Sequence, residues 1–256
     1  MSFQILKHMQ ITVLLIFVFS ACEDDRQIDT SKSTFYDDIC DITFFNGYYY
    51  STNYDLSGNA GSQIDLLQFT SNNDNISLTD HFDLDLNGQS FLTITNDNDN
   101  LYLQSMGTHL IFGISPIGER IFVASDTISN NWRPSGIAYI EEIDSLAVLY
   151  RNYHSPTMYR MRVLSKSIHE TASRDIQFQL TNVDTGYHGV YAMSYNNSQF
   201  FFLGVNQSEQ DILLKTTWAF NILETDTIAD STVVGLCFKD NELYLGYRDK
   251  RIEKYN

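Results

Sequence analysis

Four pairs of adjacent residues in predicted loops carry the side chains best suited to recognition. Trp, Tyr and Arg most often anchor binding sites, and flat aromatic rings stack against sugars. Pairs of this kind favour binding over covalent chemistry, although the rings of Trp132 and Tyr187 could instead pack inside the fold. The candidate ligand-binding residues are Trp132, Arg133, Tyr153, His154, Tyr187, His188, Arg248 and Asp249.

Three carboxylates, Glu141, Glu142 and Asp240, lie at the ends of predicted strands and are candidates for acid–base chemistry. Hydrolysis of a glycosidic bond needs two carboxylates, one as the acid and one as the base or nucleophile. No spacing singles out a pair among the 32 Asp and Glu residues of the chain. The sequence therefore assigns no catalytic residue.

Metal and cofactor motifs are weak. Residues 83–88 read DLDLNG, which matches the start of a calcium loop, but Ile94 stands where an acidic residue should complete it. The same segment alternates apolar and polar residues, as a half-buried strand does. The Asn and Asp run at 96–100 predicts a solvated hairpin tip. Histidines 81, 109, 154, 169 and 188 lack metal-ligand spacing, so we predict neither a metal nor a cofactor.

The first 21 residues have the pattern of a secretory signal. One charge, at Lys7, precedes nine almost wholly apolar residues at 11–19, too few for a membrane-spanning helix of roughly 20 residues. Two small residues then precede Cys22. This pattern resembles the lipobox of bacterial lipoproteins, with Phe19 where the family prefers an aliphatic residue. The resemblance implies that Cys22 is acylated and anchors the mature chain to a membrane. The alternative is an ordinary signal peptide with an incidental cysteine.

The acidic triplet at residues 23–25 follows Cys22 directly. It resembles the surface-export signal of some Gram-negative lipoproteins, which implies an outer-membrane protein facing the cell surface, the periplasmic side being the alternative. Charge-rich segments without apolar residues do not fold, so we predict a flexible tether. The expected organisation is a signal peptide at 1–21, an acidic tether at 22–32 and a folded domain at 33–256.

The net charge of −16 argues against a nucleic-acid partner, because it repels phosphate backbones. The hydrophobic content of 43% is enough for a packed core. Beyond Cys22, only Cys40 and Cys237 remain, one near each end of the domain. An oxidising compartment would permit a disulfide between them, and two buried thiols are the alternative.

A repeat runs through the domain. Three segments, starting near residues 137, 190 and 236, each have a glycine, a strand-like run, a polar turn and a second strand. Weaker copies begin near residues 42 and 91, the first of them with an Asn46-Gly47 hairpin turn. The starts are spaced by roughly 46 to 53 residues, the length of a four-stranded unit.

Four-stranded units of this length resemble the blades of β-propellers, whose sheets bury both faces only by packing around an axis. The resemblance covers nearly all of the mature chain and implies an all-β fold. We predict five blades, with six blades or a β-sandwich as alternatives. The last copy has only three strands, so the segment 33–39 could supply its fourth and close the ring.

In such a propeller the eight candidate residues share the face where the innermost strands begin. This predicts a non-enzymatic platform that binds a glycan, a peptide or an envelope protein. Two alternatives remain: a glycoside hydrolase or lyase, since some five-bladed propellers hydrolyse glycosides, and a structural subunit of the envelope.

Overall fold

The computed structural model describes residues 39–53, 64–72, 75–84, 91–105, 108–166, 172–184, 189–230 and 232–255. Strands dominate this part of the chain, and its helical content is one short 3-10 turn (Glu141–Ile143). Within the described ranges, no helix is long and apolar enough to cross a membrane.

The strands form five antiparallel sheets, in each of which neighbours follow one another in the chain. The first blade contains β1 (Ile39–Phe45), β2 (Tyr48–Asn53), β3 (Ile64–Asn72) and β4 (Asn75–Leu84). The second contains β5 (Phe91–Asn96), β6 (Leu101–Ser105), β7 (Leu110–Ile114) and β8 (Arg120–Ser125). The third contains β9 (Trp132–Ile140), β10 (Ser145–Asn152), β11 (Met158–Ser165) and β12 (Arg174–Gln179).

The fourth blade contains β13 (Val190–Asn196), β14 (Gln199–Val205), β15 (Asp211–Thr217) and β16 (Ile222–Thr227). The fifth contains β17 (Val233–Lys239), β18 (Glu242–Tyr247) and β19 (Ile252–Lys254). The innermost strands β1, β5, β9, β13 and β17 lie side by side in this order, and β17 also lies against β1. The ring is therefore closed, which confirms the predicted five-bladed β-propeller.

The hydrophobic core consists of five separate clusters, one at each contact between neighbouring blades. The cluster between the third and fourth blades is rich in aromatic rings, among them Phe200, Phe202 and Phe220. The cluster between the fifth and first blades joins Ile39 to Cys237. Because each sheet is apolar on both faces, every blade needs two neighbours, and only a closed ring supplies them.

Each innermost strand carries one extra residue opposite its hairpin partner, and this bulge repeats at the same place in all five blades. Bulges bend a strand and increase its twist. They place the five repeats in register and give equivalent positions along the axis. The register shifts fall between Ile39 and Ile42, Phe91 and Thr93, Pro134 and Gly136, Val190 and Ala192, and Val233 and Gly235.

Two of the repeat glycines lie directly after these bulges, where the next innermost strand approaches closely. A Cβ on Gly235 would lie 2.5 Å from Oδ1 of Asp41, and one on Gly136 would lie 2.8 Å from the Cβ of Met193. These glycines mark the repeat in the sequence because a side chain there would push neighbouring blades apart.

At the ends of the domain the structure corrects one expectation and decides between two alternatives. Ile39, expected in an outer strand, lies in the innermost strand β1 and pairs with Asn53, while residues 33–38 lie outside the described part of the chain. Cys40 and Cys237 are two buried thiols, not a disulfide. The Cys40 Sγ lies 4.0 Å from the carbonyl oxygen of Asn53, whereas Cys237 packs in the cluster between the fifth and first blades.

Candidate functional site

Every innermost strand begins on one face of the ring and ends on the other. We name the face where these strands end the hairpin face, because the turn to the second strand lies there in each blade. The other face is the opposite face. The five turns of the hairpin face lie at residues 46–47, 97–100, 141–144, 197–198 and 240–241.

A cavity of about 360 Å³ lies on the axis and opens on the hairpin face. Four of the five blades contribute strand-end and turn residues to it, and the first contributes two strand residues. Its walls are mainly hydroxyl, amide, carboxylate and aromatic groups. The lining residues are Ile42, Thr43, Ile94, Thr95, Asn96, Asp97, Asn98, Tyr139, Glu141, Glu142, Met193, Ser194, Tyr195, Asn196, Asn197, Leu236, Cys237, Phe238 and Asn241.

The deepest lining residues are apolar: Ile94, Met193 and Leu236. They occupy equivalent places, because each directly follows the residue at which strand pairing resumes after the bulge. The carboxyl group of Asp41, 1% exposed, lies against this floor. Its Oδ1 accepts a hydrogen bond from the N–H of Leu236 at 3.2 Å, and its Oδ2 accepts one from Ile94 at 3.3 Å.

The first and last blades therefore meet at Asp41. Its Oδ1 also accepts the N–H of Ile42 at 2.9 Å. Burial raises the pKa of Asp41 well above its ordinary value, although these three N–H groups oppose that shift. The carboxyl group is enclosed by backbone and is not among the cavity-lining groups, so its role is to hold the inner strands together.

Two tyrosines form part of the cavity wall, and both hydroxyl groups are fixed by carboxylates of the third hairpin. The Tyr139 hydroxyl donates to Asp144 Oδ1 at 2.7 Å, and that of Tyr195 donates to Glu142 Oε1 at 3.2 Å. Burial and the bond to Asp144 raise the pKa of Tyr139 to about 12. Trp218 Nε1 donates to the Tyr195 hydroxyl at 3.0 Å. The rings are held in place before any ligand arrives.

Asp97 organises the second hairpin and is buried, at 1% exposed. Its Oδ1 accepts the N–H groups of Asp99 and Asn100, both at 2.7 Å, and its Oδ2 lies 3.0 Å from Nζ of Lys166. Burial alone would raise the pKa of Asp97, but these bonds outweigh it and lower that pKa. The run at 96–100 is a hairpin tip, as predicted, but Asp97 is buried inside it rather than solvated.

Amide side chains complete the rim. Asn96 Nδ2 donates to the hydroxyl of Thr43 at 2.6 Å and to the carbonyl oxygen of Phe44 at 3.0 Å, which ties the second blade to the first. Asn98 and Asn197 are exposed at the cavity opening. Amides both donate and accept hydrogen bonds, so this rim can satisfy either kind of ligand group.

The six described residues among those predicted for ligand binding lie on the opposite face, away from this cavity. Trp132 is 7% exposed and packs in the cluster between the second and third blades. Its carbonyl oxygen lies 2.7 Å from Nε2 of His109, and the guanidinium of Arg160 lies 5.7 Å from its ring. Trp132 thus has the packing role that the sequence left as the alternative, and its ring is not exposed for stacking.

Three other predicted residues come together. The Arg133 guanidinium lies 4.3 Å from the ring centre of Tyr153, which is 58% exposed and has His154 against it at 5.3 Å. Arg248 and Asp249 are exposed in another loop of this face, where Asp249 pairs with Arg251 at 2.8 Å. Tyr187 and His188 lie outside the described residues.

Of the predicted carboxylates, Glu141 and Glu142 line the cavity, while Asp240 lies in the fifth hairpin turn beside it. Asp83 and Leu84 of the calcium-like segment belong to strand β4, and residues 85–90 are not described. Among the described residues, no three His, Cys, Asp or Glu side chains group together as metal ligands would.

The sequence reasoning missed Tyr139, Tyr195 and Asn96. When the repeats are aligned at their bulges, these three residues occupy one equivalent position. Each lies three residues after the residue at which strand pairing resumes beyond the bulge. Phe238 occupies this position in the last blade, and its counterpart in the first is Phe44, which likewise lies one pair before its hairpin closes. The signal was therefore present, but it could be read only after the bulges had fixed the register.

Comparison with known proteins identifies the architecture and no closer relationship. No family model matches the chain, and no curated protein matches it. Glutaminyl cyclase from Myxococcus xanthus superposes with a TM-score of 0.59 at 11% identity, over 86% of this chain and 93% of that one.

An α-L-arabinofuranosidase from Clostridium thermocellum superposes with a TM-score of 0.56 at 12% identity, over 81% of each chain. At these identities the similarity concerns the fold alone, because unrelated functions share such architectures. The chain is an all-β, five-bladed β-propeller.

Proposed function

We propose that this protein is a non-enzymatic binding protein that holds a glycan in its axial cavity. One observation carries the proposal: the cavity combines the fixed rings of Tyr139 and Tyr195 with amide side chains and an apolar floor. A pyranose or furanose ring has apolar C–H faces and a hydroxyl-bearing edge, so it needs both kinds of surface. Sites that are fixed before binding lose less entropy on association.

The size of the cavity is consistent with this ligand. A volume of about 360 Å³ lies in the lower part of the range for small-molecule sites, roughly 300–1,000 Å³. It can hold one or two sugar units, while the open hairpin face leaves room for the rest of a chain.

Glycoside hydrolysis is the second candidate, because Glu141 and Glu142 both line the cavity. Against it, the Glu142 carboxylate is engaged by the Tyr195 hydroxyl. Incubation of the protein with each bound glycan, followed by chromatography, separates the two candidates. Hydrolysis products that the wild type forms and that neither Glu141→Gln nor Glu142→Gln forms would show that the protein is a glycoside hydrolase rather than a binding protein.

We also propose that Cys22 is acylated and displays the propeller on the outer membrane, facing the cell surface. The support is the signal-like segment 1–21 and its resemblance to the lipobox. Metabolic labelling with a palmitate analogue should mark the full chain and not its Cys22→Ser variant. Equal labelling of both chains would show that Cys22 carries no lipid. Protease added to intact cells should digest the protein if it faces outward.

The central test is a glycan array probed with the chain from residue 23 onwards, compared with two variants. Asn98→Ala changes the cavity rim, and Tyr153→Ala changes the cluster on the opposite face. We expect binding that Asn98→Ala weakens at least about tenfold and Tyr153→Ala leaves unchanged. The reverse pattern would move the site to the residues predicted from sequence. A folded protein that binds no glycan would overturn the proposal and favour an envelope-protein partner.

A further inference from the structure

We infer that Glu141 selects the ligand of the axial cavity by charge, favouring neutral or amino sugars over sugars that carry a carboxylate, sulfate or phosphate. This inference rests on the proposed function and narrows its ligand class. The physical basis is that a carboxylate at the cavity wall accepts hydrogen bonds from hydroxyl and ammonium groups but repels anions.

The other two carboxylates that line the cavity, those of Glu142 and Asp97, already have partners within the protein, as does Asp144 beside them. Glu142 accepts the hydroxyl of Tyr195, and Asp97 is bound by two backbone N–H groups and by Lys166. Asp144 pairs with Lys166 at 2.8 Å and also accepts the Tyr139 hydroxyl. These bonds hold the hairpins and occupy Asp97 and Asp144 most fully, whereas Glu142 accepts a single bond.

Glu141 differs from them. It lines the cavity, its side chain is exposed, and its carboxylate makes no hydrogen bond or ion pair with any described residue. Its backbone is nevertheless fixed, because its carbonyl oxygen accepts the N–H of Asp144 at 3.2 Å in the 3-10 turn. The structure thus fixes the backbone of this acceptor at the cavity wall and leaves its carboxylate available to a ligand.

The ammonium groups that could offset the charge of Glu141 contact other side chains instead. The lining contains no Lys or Arg among the described residues. The Lys166 ammonium lies between Asp97 and Asp144, and that of Lys239 lies 5.0 Å from the ring centre of Phe44. An anionic ligand would therefore meet Glu141 without a counter-charge on the cavity wall.

The experiment compares sugars whose substituents differ in charge. Galactose oligomers and galacturonate oligomers of equal length form the matched pair on the array, and glucosamine oligomers add an amino sugar. Each is titrated against the wild-type chain, Glu141→Gln and Glu209→Gln. Glu209 is exposed in a turn of the opposite face, so its variant makes the same change in net charge far from the cavity.

We expect the wild type to bind neutral or amino sugars at least about tenfold more tightly than the acidic partner. Glu141→Gln should narrow that gap, and Glu209→Gln should leave it intact. An unchanged gap in Glu141→Gln, with neutral sugars still bound, would overturn this inference alone. If no sugar of the array binds to the folded wild type, the proposed function fails and the inference with it.

Discussion

The Asp41 carboxylate accepts a hydrogen bond at 3.2 Å from the backbone N–H of Leu236, a residue 195 positions later in the chain. Since Asp41 lies in β1 and Leu236 in β17, this contact joins the first blade to the last. The same carboxyl group accepts the N–H of Ile94 in β5. One side chain thus links three of the five innermost strands.

Asp41→Asn should destabilise the propeller strongly. An amide nitrogen cannot accept a hydrogen bond, so at least one buried N–H of Ile94 or Leu236 loses its partner. We expect a loss of about 2–4 kcal/mol in the free energy of unfolding, measured by urea titration. Asp99→Asn, an exposed substitution in the second hairpin, is the control and should change it little. Equal stability of both variants would show that Asp41 does not hold the ring.

The stability of the wild type should also depend on the ionisation of Asp41. Its pKa is raised in the folded chain, so its protonated form is favoured by folding. The stabilisation linked to that proton is fully present below the ordinary pKa of 3.8 and is lost as pH rises from there through the raised value. The difference in unfolding free energy between wild type and Asp41→Asn should therefore shrink with rising pH. A difference that grows with pH would contradict the raised pKa.

Asp97 should show the opposite pH dependence. Its pKa is lowered in the folded chain, so its stabilisation is present above its ordinary value of 3.8 and is lost as pH falls through the lowered one. Asp97→Asn should cost about 1–3 kcal/mol at pH 7, because the bonds to Lys166 and two N–H groups weaken. The loss of unfolding free energy should be smaller at pH 3. Chemical denaturation at both pH values measures it. A loss independent of pH would show that the carboxylate charge has no part in it.

Arg162 and Asp126 form a buried ion pair between the third and second blades. Their side chains are 6% and 2% exposed, and Asp126 also accepts the hydroxyl of Tyr150 at 2.9 Å. Arg162→Met leaves a buried carboxylate without its cation and should cost about 3–5 kcal/mol, measured by thermal or urea unfolding. The double change with Asp126→Asn should recover part of the loss. No recovery would mean that packing around Arg162, rather than charge, carries its effect.

The two thiols of the domain should react only after unfolding. Cys40 and Cys237 are 8% and 3% exposed and are not bridged, and burial raises the pKa of Cys237 well above its usual range. Titration of the chain from residue 23 with a thiol reagent should give two thiols per molecule in denaturant and far fewer without it. A reductant should leave the melting temperature unchanged. A melting temperature that changes on reduction, together with no reactive thiols in denaturant, would establish a disulfide instead.

Local sequence determined the repeat, the blade number and most strand positions. The repeats predicted to start near residues 91 and 190 begin there as the strands Phe91–Asn96 and Val190–Asn196. The Asn46-Gly47 turn has the positive φ angles expected for a hairpin, 49° and 87°. These features depend on alternation and turn chemistry within a few residues. Such short-range signals remain readable whatever the rest of the chain does.

The tertiary structure alone decided which residues meet at the axis. Tyr139, Tyr195 and Asn96 come from three blades, and their shared position depends on bulges that shift each strand by one residue. Shifting a strand by one residue reverses the direction of every side chain, so a small uncertainty in register hides the site. For the same reason, Trp132 resembled a surface anchor in the sequence, but the packing of the second blade against the third buries its ring.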